Sequence, residues 1–156
     1  MIAATLDWED SRQHEVGVAL AAPQIDHLLR VVIIREDFDD IDNRKFTTLI
    51  NPEITKYEGD IIEDYEGCLS IRDIYGKVPR YSKVRVKALD ITGKSFRFTA
   101  EGFLARVVQH EIDHTNGIVF IDHIKDKQDA FYRLDKEGQL EPLDYEADIA
   151  TSDLLW

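Results

Sequence analysis

The chain has 156 residues, 44% of them hydrophobic and 10% aromatic, a composition that suits one folded domain (1–156) with a core of its own. A formal net charge of −12 argues against DNA or any nucleic acid as a main partner, and against an anionic membrane surface, since both want a basic face. The lone cysteine, Cys68, excludes an intrachain disulfide, no apolar run approaches the roughly 18–20 residues of a membrane span, and Met1 to Asp10 lacks the order of a secretory signal, so a cytoplasmic location is expected.

In chain order, the first sixteen residues carry few signals, and Leu6 to His14 reads as a polar helical turn or two. Gly17-Val18-Ala19-Leu20-Ala21-Ala22-Pro23-Gln24 is a run of mostly small residues closed by proline. Such a run is either a tightly packed core turn or a place where backbone passes close to a ligand. Leu28 to Ile34 is β-branched and apolar apart from Arg30, which predicts a largely buried strand. Glu36 to Lys45 is a solvated acidic loop, Thr47 to Asn51 a strand that Pro52 interrupts, and Ile54 to Ile62 a loosely alternating stretch. Glu66-Gly67-Cys68-Leu69-Ser70 reads as a turn ahead of a hairpin. Lys77 to Leu89 alternates best, with Val84, Val86 and Ala88 opposite Arg85 and Lys87. Asp90 to Lys94 then turns the chain into a returning strand at Phe96-Arg97-Phe98.

The main helix is predicted over Thr99 to Gly117, capped near Thr99, with Glu101 at its positive end and Asn116-Gly117 as its stop. With Phe103 at zero on a wheel of about 100° per residue, Val107, His110 and His114 fall within about 40° of it. Leu104, Val108 and Ile112 form a neighbouring apolar face, which leaves Arg106, Gln109 and Asp113 on the polar side. Beyond the helix, Ile118 to Ile121 reads as a short strand and Lys127 to Lys136 as a second helix with Phe131 and Leu134 as its apolar positions. From Glu141 onward there are acids and no lysine or arginine, so 141–156 is expected to be a loosely held tail, with Leu154, Leu155 and Trp156 able to dock.

His110-Glu111-Ile112-Asp113-His114 carries the chemistry. Imidazoles four residues apart on a helix point the same way and can share one metal ion, while Glu111 sits on the next face within reach of a water there. The competing reading is a pair of ordinary helix histidines beside a carboxylate. A hydrolytic site wants a third ligand, for which Cys68 is the candidate, although a lone cysteine also serves as a small buried hydrophobe.

Three segments in order resemble the peptide deformylase family. Gly17 to Gln24 matches that family's G-x-G-L-A-A-P-Q except at Ala19, Glu66 to Ser70 matches E-G-C-L-S throughout, and Gln109 to His114 matches Q-H-E-x-D-H. The similarity spans roughly Glu15 to Asp122. It implies an α+β fold of antiparallel or mixed β-sheets packed around a central helix bearing His-Glu-x-x-His, and hydrolysis of the formyl group from the N-terminal formyl-methionine of new polypeptides. Cys68, His110 and His114 would hold one divalent metal, natively ferrous iron, with zinc, nickel or cobalt able to substitute. Glu111 would be the general base, and Gln24 and the Leu69 backbone would stabilise the oxyanion. Gly17, Val18, Ala19, Phe103 and Val107, with Glu66 and Gly67, would shape the substrate site. N-formylmethionyl peptides are the implied substrates, with a transient ribosome encounter; the resemblance leaves the oligomeric state open.

Three departures accompany it. Ala19 stands at a usual glycine, Tyr75 stands where many members have arginine, and only sixteen residues precede the first motif, a short N-terminal segment. They keep two other functions in view: a deformylase-like metalloprotein with weak or lost catalysis, and a zinc endopeptidase.

Overall fold

The computed structural model describes residues 1–11, 16–40, 42–135 and 138–152. His14, Lys136, Leu154, Leu155 and Trp156, which figured in the expected helices and the docking tail, lie outside them. The elements are α1 (Ile2–Asp10), β1 (Ala19–Ala21), a 3-10 turn (Ala22–Ile25), β2 (Val31–Arg35), β3 (Phe46–Cys68), β4 (Ile71–Leu89), β5 (Ser95–Glu101) and α2 (Gly102–Thr115). After α2 come a second 3-10 turn (Phe120–His123), β6 (Phe131–Leu134), β7 (Leu140–Pro142) and a π-type turn (Tyr145–Ile149). The chain divides into two compact units, one of Met1–Asp60 with Tyr81–Gly117 and one of Ile61–Arg80 with Ile118–Trp156, and β3 and β4 run through both. Among the described residues no helix is long and apolar enough to cross a membrane.

In the first unit the sheet order is β1-β2-β3-β4, with β5 pairing β4, and β1 with β2, β2 with β3 and β4 with β5 run antiparallel. Period-two alternation gives this sheet one apolar face, on which Val32, Ile34, Leu49, Val84, Val86, Ala88 and Ala100 are buried. Ala105, Val107, Val108 and Ile112 of α2 complete that core, and the helix packs on β1, β2, β5 and the first 3-10 turn. The expected hairpin is present, with Val86 opposite Phe98 and Leu89 opposite Ser95, closed by Asp90. The Asp90 carboxylate accepts from the Thr92 and Lys94 backbone N–H groups at 2.8 and 3.0 Å.

Four expectations are corrected here. Leu28 and Leu29 are 91% and 60% exposed, because β2 begins at Val31, where pairing with β3 begins. Pro52 does not interrupt β3. The β2 pairing ends at Ile50, so proline's missing N–H removes no ladder bond on that side, and Arg30 holds the bend by donating to the Pro52 carbonyl at 2.9 Å. Thr99 lies in β5 rather than capping the helix. Gly102, at φ 58, turns the chain from strand to helix within one residue, and Glu101 at the N-cap makes no side-chain cap bond. Finally, Arg106 and Gln109 are buried rather than forming a polar face.

The N-terminal segment carries a helix, α1, held by buried side chains. Glu9 forms an ion pair with Arg35, whose side chain has no exposed surface, and accepts from the Gly17 N–H at 2.9 Å. Gly17 has room only for a hydrogen, since a Cβ there would lie 2.3 Å from Thr5 Cγ2.

In the second unit the order is β3-β4-β6-β7 around Ile71, Ile74, Val78, Phe120, Ile121, Ile124, Phe131 and Ile149. Asp73, at φ 61, shifts the phase of β4, so that Ile71 and then Ile74, Gly76, Val78 and Arg80 are buried. The strand expected at Ile118 to Ile121 is instead the lead into a 3-10 turn that buries Phe120 and Ile121. The helix expected at Lys127 to Lys136 is a turn followed by β6, with Tyr75 opposite Tyr132 and Gly76 opposite Phe131. Phe131 and Leu134 are three apart, which puts them on opposite faces of a strand, and Phe131 is buried while Leu134 is 37% exposed. The acidic tail is partly anchored through fully buried Ile149 and a 2.7 Å bond from the Tyr145 hydroxyl to the Lys125 carbonyl.

Candidate active site and metal-binding residues

Helix α2 buries Arg106, Gln109, His110, Glu111 and His114 among its apolar residues. Burying this many polar groups costs free energy unless each has a partner or a task. Gln109 has an evident task. Its amide nitrogen donates to the Tyr81 carbonyl at 2.9 Å and to Ala105 at 2.8 Å, and its oxygen accepts from the Tyr81 N–H at 3.2 Å. A side chain thus pairs with β4 as a neighbouring strand would, and fixes the rotational phase of α2 one residue before His110. Sequence reasoning left Gln109 on the solvent face. Its place in the third motif was the signal that could have found it.

His110 and His114 are buried, and their rings meet edge to face with centroids 4.7 Å apart. They occupy the C-terminal half of α2, where the carbonyl ends of the peptide dipoles favour positive charge. Cys68 ends β3 and is half-buried. A thiol, Cys68, and two imidazoles, His110 and His114, are donor types that a single metal ion takes. One soft thiolate with two imidazoles fits a first-row divalent ion of borderline character. Glu111 is buried on the same helix as the histidines.

Gln24 lies in the 3-10 turn after β1 and its Oε1 accepts from the Ala21 N–H at 2.8 Å. That bond orients the amide, with its oxygen on the Ala21 N–H. Ala19 lies in β1 opposite Ile34, and its methyl packs in the core at an ordinary strand conformation; positive φ among the non-glycine described residues is confined to Asp26, Asn51 and Asp73. Val18 packs against the same core, and its carbonyl accepts from the Arg35 N–H at 2.9 Å.

Phe103 and Val107, aligned on the wheel, have different surroundings. Val107 is buried in the core, whereas Phe103 is 54% exposed and meets Phe38 edge to face at 5.1 Å. Leu69 sits in the two-residue turn between β3 and β4. Glu66 is buried in a two-pronged ion pair, Arg80 Nε to Oε1 at 2.9 Å and Nη2 to Oε2 at 3.0 Å. Gly67 lies beneath the Tyr75 ring.

A family model described as polypeptide deformylase matches residues 2–130. The peptide deformylase of Thermomicrobium roseum is 47% identical over 126 residues, covering 79% of this chain and 71% of that protein. The Halothermothrix orenii enzyme is 52% identical over 109 residues, covering 69% and 67%. Among solved structures, a Legionella pneumophila peptide deformylase superposes with TM-score 0.68 at 44% identity, covering 79% of this chain and 66% of that one. A Synechococcus elongatus peptide deformylase in complex with actinonin gives 0.66 at 38% identity, covering 71% and 60%. The chain therefore spans about two thirds of the length of the relatives it matches. By the extent of the family match and by this identity, the chain belongs to the peptide deformylase family.

Proposed function

We propose that this chain hydrolyses the formyl group from the N-terminal formyl-methionine of newly made polypeptides, in the cytoplasm, releasing formate. The observation that carries this is the buried His110–His114 pair with Glu111 on one helix of a chain from this family. Cys68, His110 and His114 are the residues that would hold one divalent ion, which when bound supplies Lewis acidity towards a carbonyl oxygen and a more acidic water. The donor set suits several borderline metals, and ferrous iron is the native ion in this reading, with zinc, nickel or cobalt as substitutes.

Glu111 takes a proton from the attacking water, whose oxygen bonds to the formyl carbon. It returns the proton to the amine nitrogen as the C–N bond breaks. The Gln24 Nε2 and the Leu69 N–H donate to the formyl oxygen as charge develops on it. The bond from the Ala21 N–H to the Gln24 oxygen supports this role, since it fixes the amide in one orientation. The substrate backbone pairs with the β1 edge, and Gly17, Val18, Phe103 and Val107 shape the surroundings of the methionine side chain.

Formate release from formyl-Met-Ala-Ser by iron- or cobalt-loaded protein tests the proposal. Release that does not exceed that of Glu111→Ala would defeat it. A second reading, a metalloprotein that keeps the site with little turnover, is motivated by Tyr75 standing where many members of the family have arginine. Tight cobalt binding with negligible formate release would establish that reading instead.

A further inference from the structure

We propose that Tyr75 and Arg80 are positioning residues that grip the Glu66-Gly67-Cys68 end of β3 from its two faces and so set the direction of the Cys68 thiolate. This rests on the reading of Cys68 as a metal ligand.

The first face is held by charge. Arg80 and Glu66 are both buried, and the guanidinium meets the carboxylate in the fork geometry at 2.9 and 3.0 Å. Its remaining Nη1 lies 3.3 Å from His123 Nε2. A guanidinium only donates, so that imidazole nitrogen accepts. Residues two apart on a strand face the same way, so a carboxylate locked at 66 fixes the face on which the side chain of residue 68 emerges.

The second face is held by shape. A Cβ at Gly67 would lie 2.7 Å from Tyr75 Cε1, 3.1 Å from Cδ1 and 3.3 Å from Cζ, so the flat ring lies directly against the backbone at position 67. Beyond Asp73, Ile74, Gly76, Val78 and Arg80 alternate inward on β4, which puts Tyr75 on the opposite face from Arg80. One strand therefore supplies both jaws, and Tyr75 is itself tied to β6 opposite Tyr132. An arginine at position 75, as the family resemblance leads one to expect, would bring a flexible stem in place of a ring with two torsions. The departure at 75 thus gains a task, and the glycine of the second motif gains a reason in this chain.

The test uses full-length protein loaded with Co(II), reading the thiolate-to-cobalt absorption band and cobalt affinity by chelator competition, with thermal melting as a check on folding. Gly67→Ala and Tyr75→Ala should each weaken cobalt binding by roughly tenfold or more and shift or dim the band, the usual scale for losing a residue that orients a ligand. Tyr75→Phe should keep the wild-type band, because the ring and not the hydroxyl makes the contact. The double variant Gly67→Ala/Tyr75→Ala should bind cobalt more tightly than Gly67→Ala, since removing the ring makes room for the methyl. Arg80→Lys, which cannot fork onto Glu66, should resemble Tyr75→Ala. If Cys68→Ala abolishes the band while Tyr75→Ala, Gly67→Ala and Arg80→Lys match wild type, the grip is refuted and the ligand reading stands. A band that persists in Cys68→Ala refutes the ligand reading itself. Should Gly67→Ala fail to fold, Tyr75→Ala and Arg80→Lys decide the matter on their own.

Discussion

Replacing Gln109 with leucine keeps the volume and apolar stem of the side chain but removes every hydrogen bond made by its amide. Three bonds are lost, and they do not count equally. The bond to the Ala105 carbonyl is a second one to a group that already accepts from the helix, so its loss costs little. The two bonds to the Tyr81 backbone matter more, since that N–H and C=O would be left facing an apolar side chain. An unsatisfied buried group costs about 1–3 kcal/mol, but Tyr81 is 37% exposed and water reaches part of it, so about 2–3 kcal/mol in total is the fair figure. In a chain of this length that lowers the melting temperature by about 4–12 °C. Urea titration followed by far-ultraviolet circular dichroism measures it, with an unchanged m-value confirming that the native fold is the starting point. Gln109→Glu is not a rescue, because a carboxylate accepts from the Tyr81 N–H yet cannot donate to its carbonyl. A Gln109→Leu protein as stable as wild type would refute the view that this amide stands in for a strand.

Further outcomes follow from the same geometry. Glu9→Leu should cost about 3–5 kcal/mol, because it takes a buried carboxylate away from a guanidinium with no exposed surface, and Glu9→Leu/Arg35→Met should recover much of that loss in the same urea assay. Gly76→Ala should cost about 1–3 kcal/mol by overpacking, since its Cβ would meet Ile124 Cδ1 at 2.4 Å and the Phe120 ring at 2.7 Å. Glu58 is held down from the ordinary 4.5 to about 2, first by its hydrogen bonds from Arg85 and then by those from Lys56. A carboxyl whose folded value is depressed contributes stability above 4.5 and loses it as pH falls towards 2. Carboxyl carbon NMR should show this titration in the wild type, and Arg85→Ala should move it back up.

The hairpin of β4 and β5 was legible because one residue decides each position: Val84, Val86 and Ala88 are apolar, their neighbours are charged, and Asp90 to Gly93 offers its own turn chemistry. The second unit was misread where local pattern and tertiary pairing diverge. Phe131 and Leu134 are spaced for a helix, yet β4 offers an open edge at Tyr75 and Gly76, and pairing there outweighs a weak helical period. Pro52 was read as a break because a proline's effect depends on whether a neighbouring strand needs its N–H, and no local pattern says where β2 stops.

The site itself divides along a similar line. The histidines and Glu111 declare themselves by spacing on one helix, since their function needs them close in sequence. The residues set around them do not, because each meets a partner distant in sequence: Gln109 meets the Tyr81 backbone, Arg80 the Glu66 carboxylate beside Cys68, and Tyr75 the backbone at Gly67. A buried glutamine or arginine looks from sequence like any solvated one, and only its partner reveals the difference. This asymmetry explains why position 75 shows in the sequence only as a departure from the family's usual arginine. An arginine replaced by tyrosine looks like a lost charge when the partner is unseen. Set against the backbone at Gly67 it is a gained surface, a flat ring where an arginine would offer only a flexible stem.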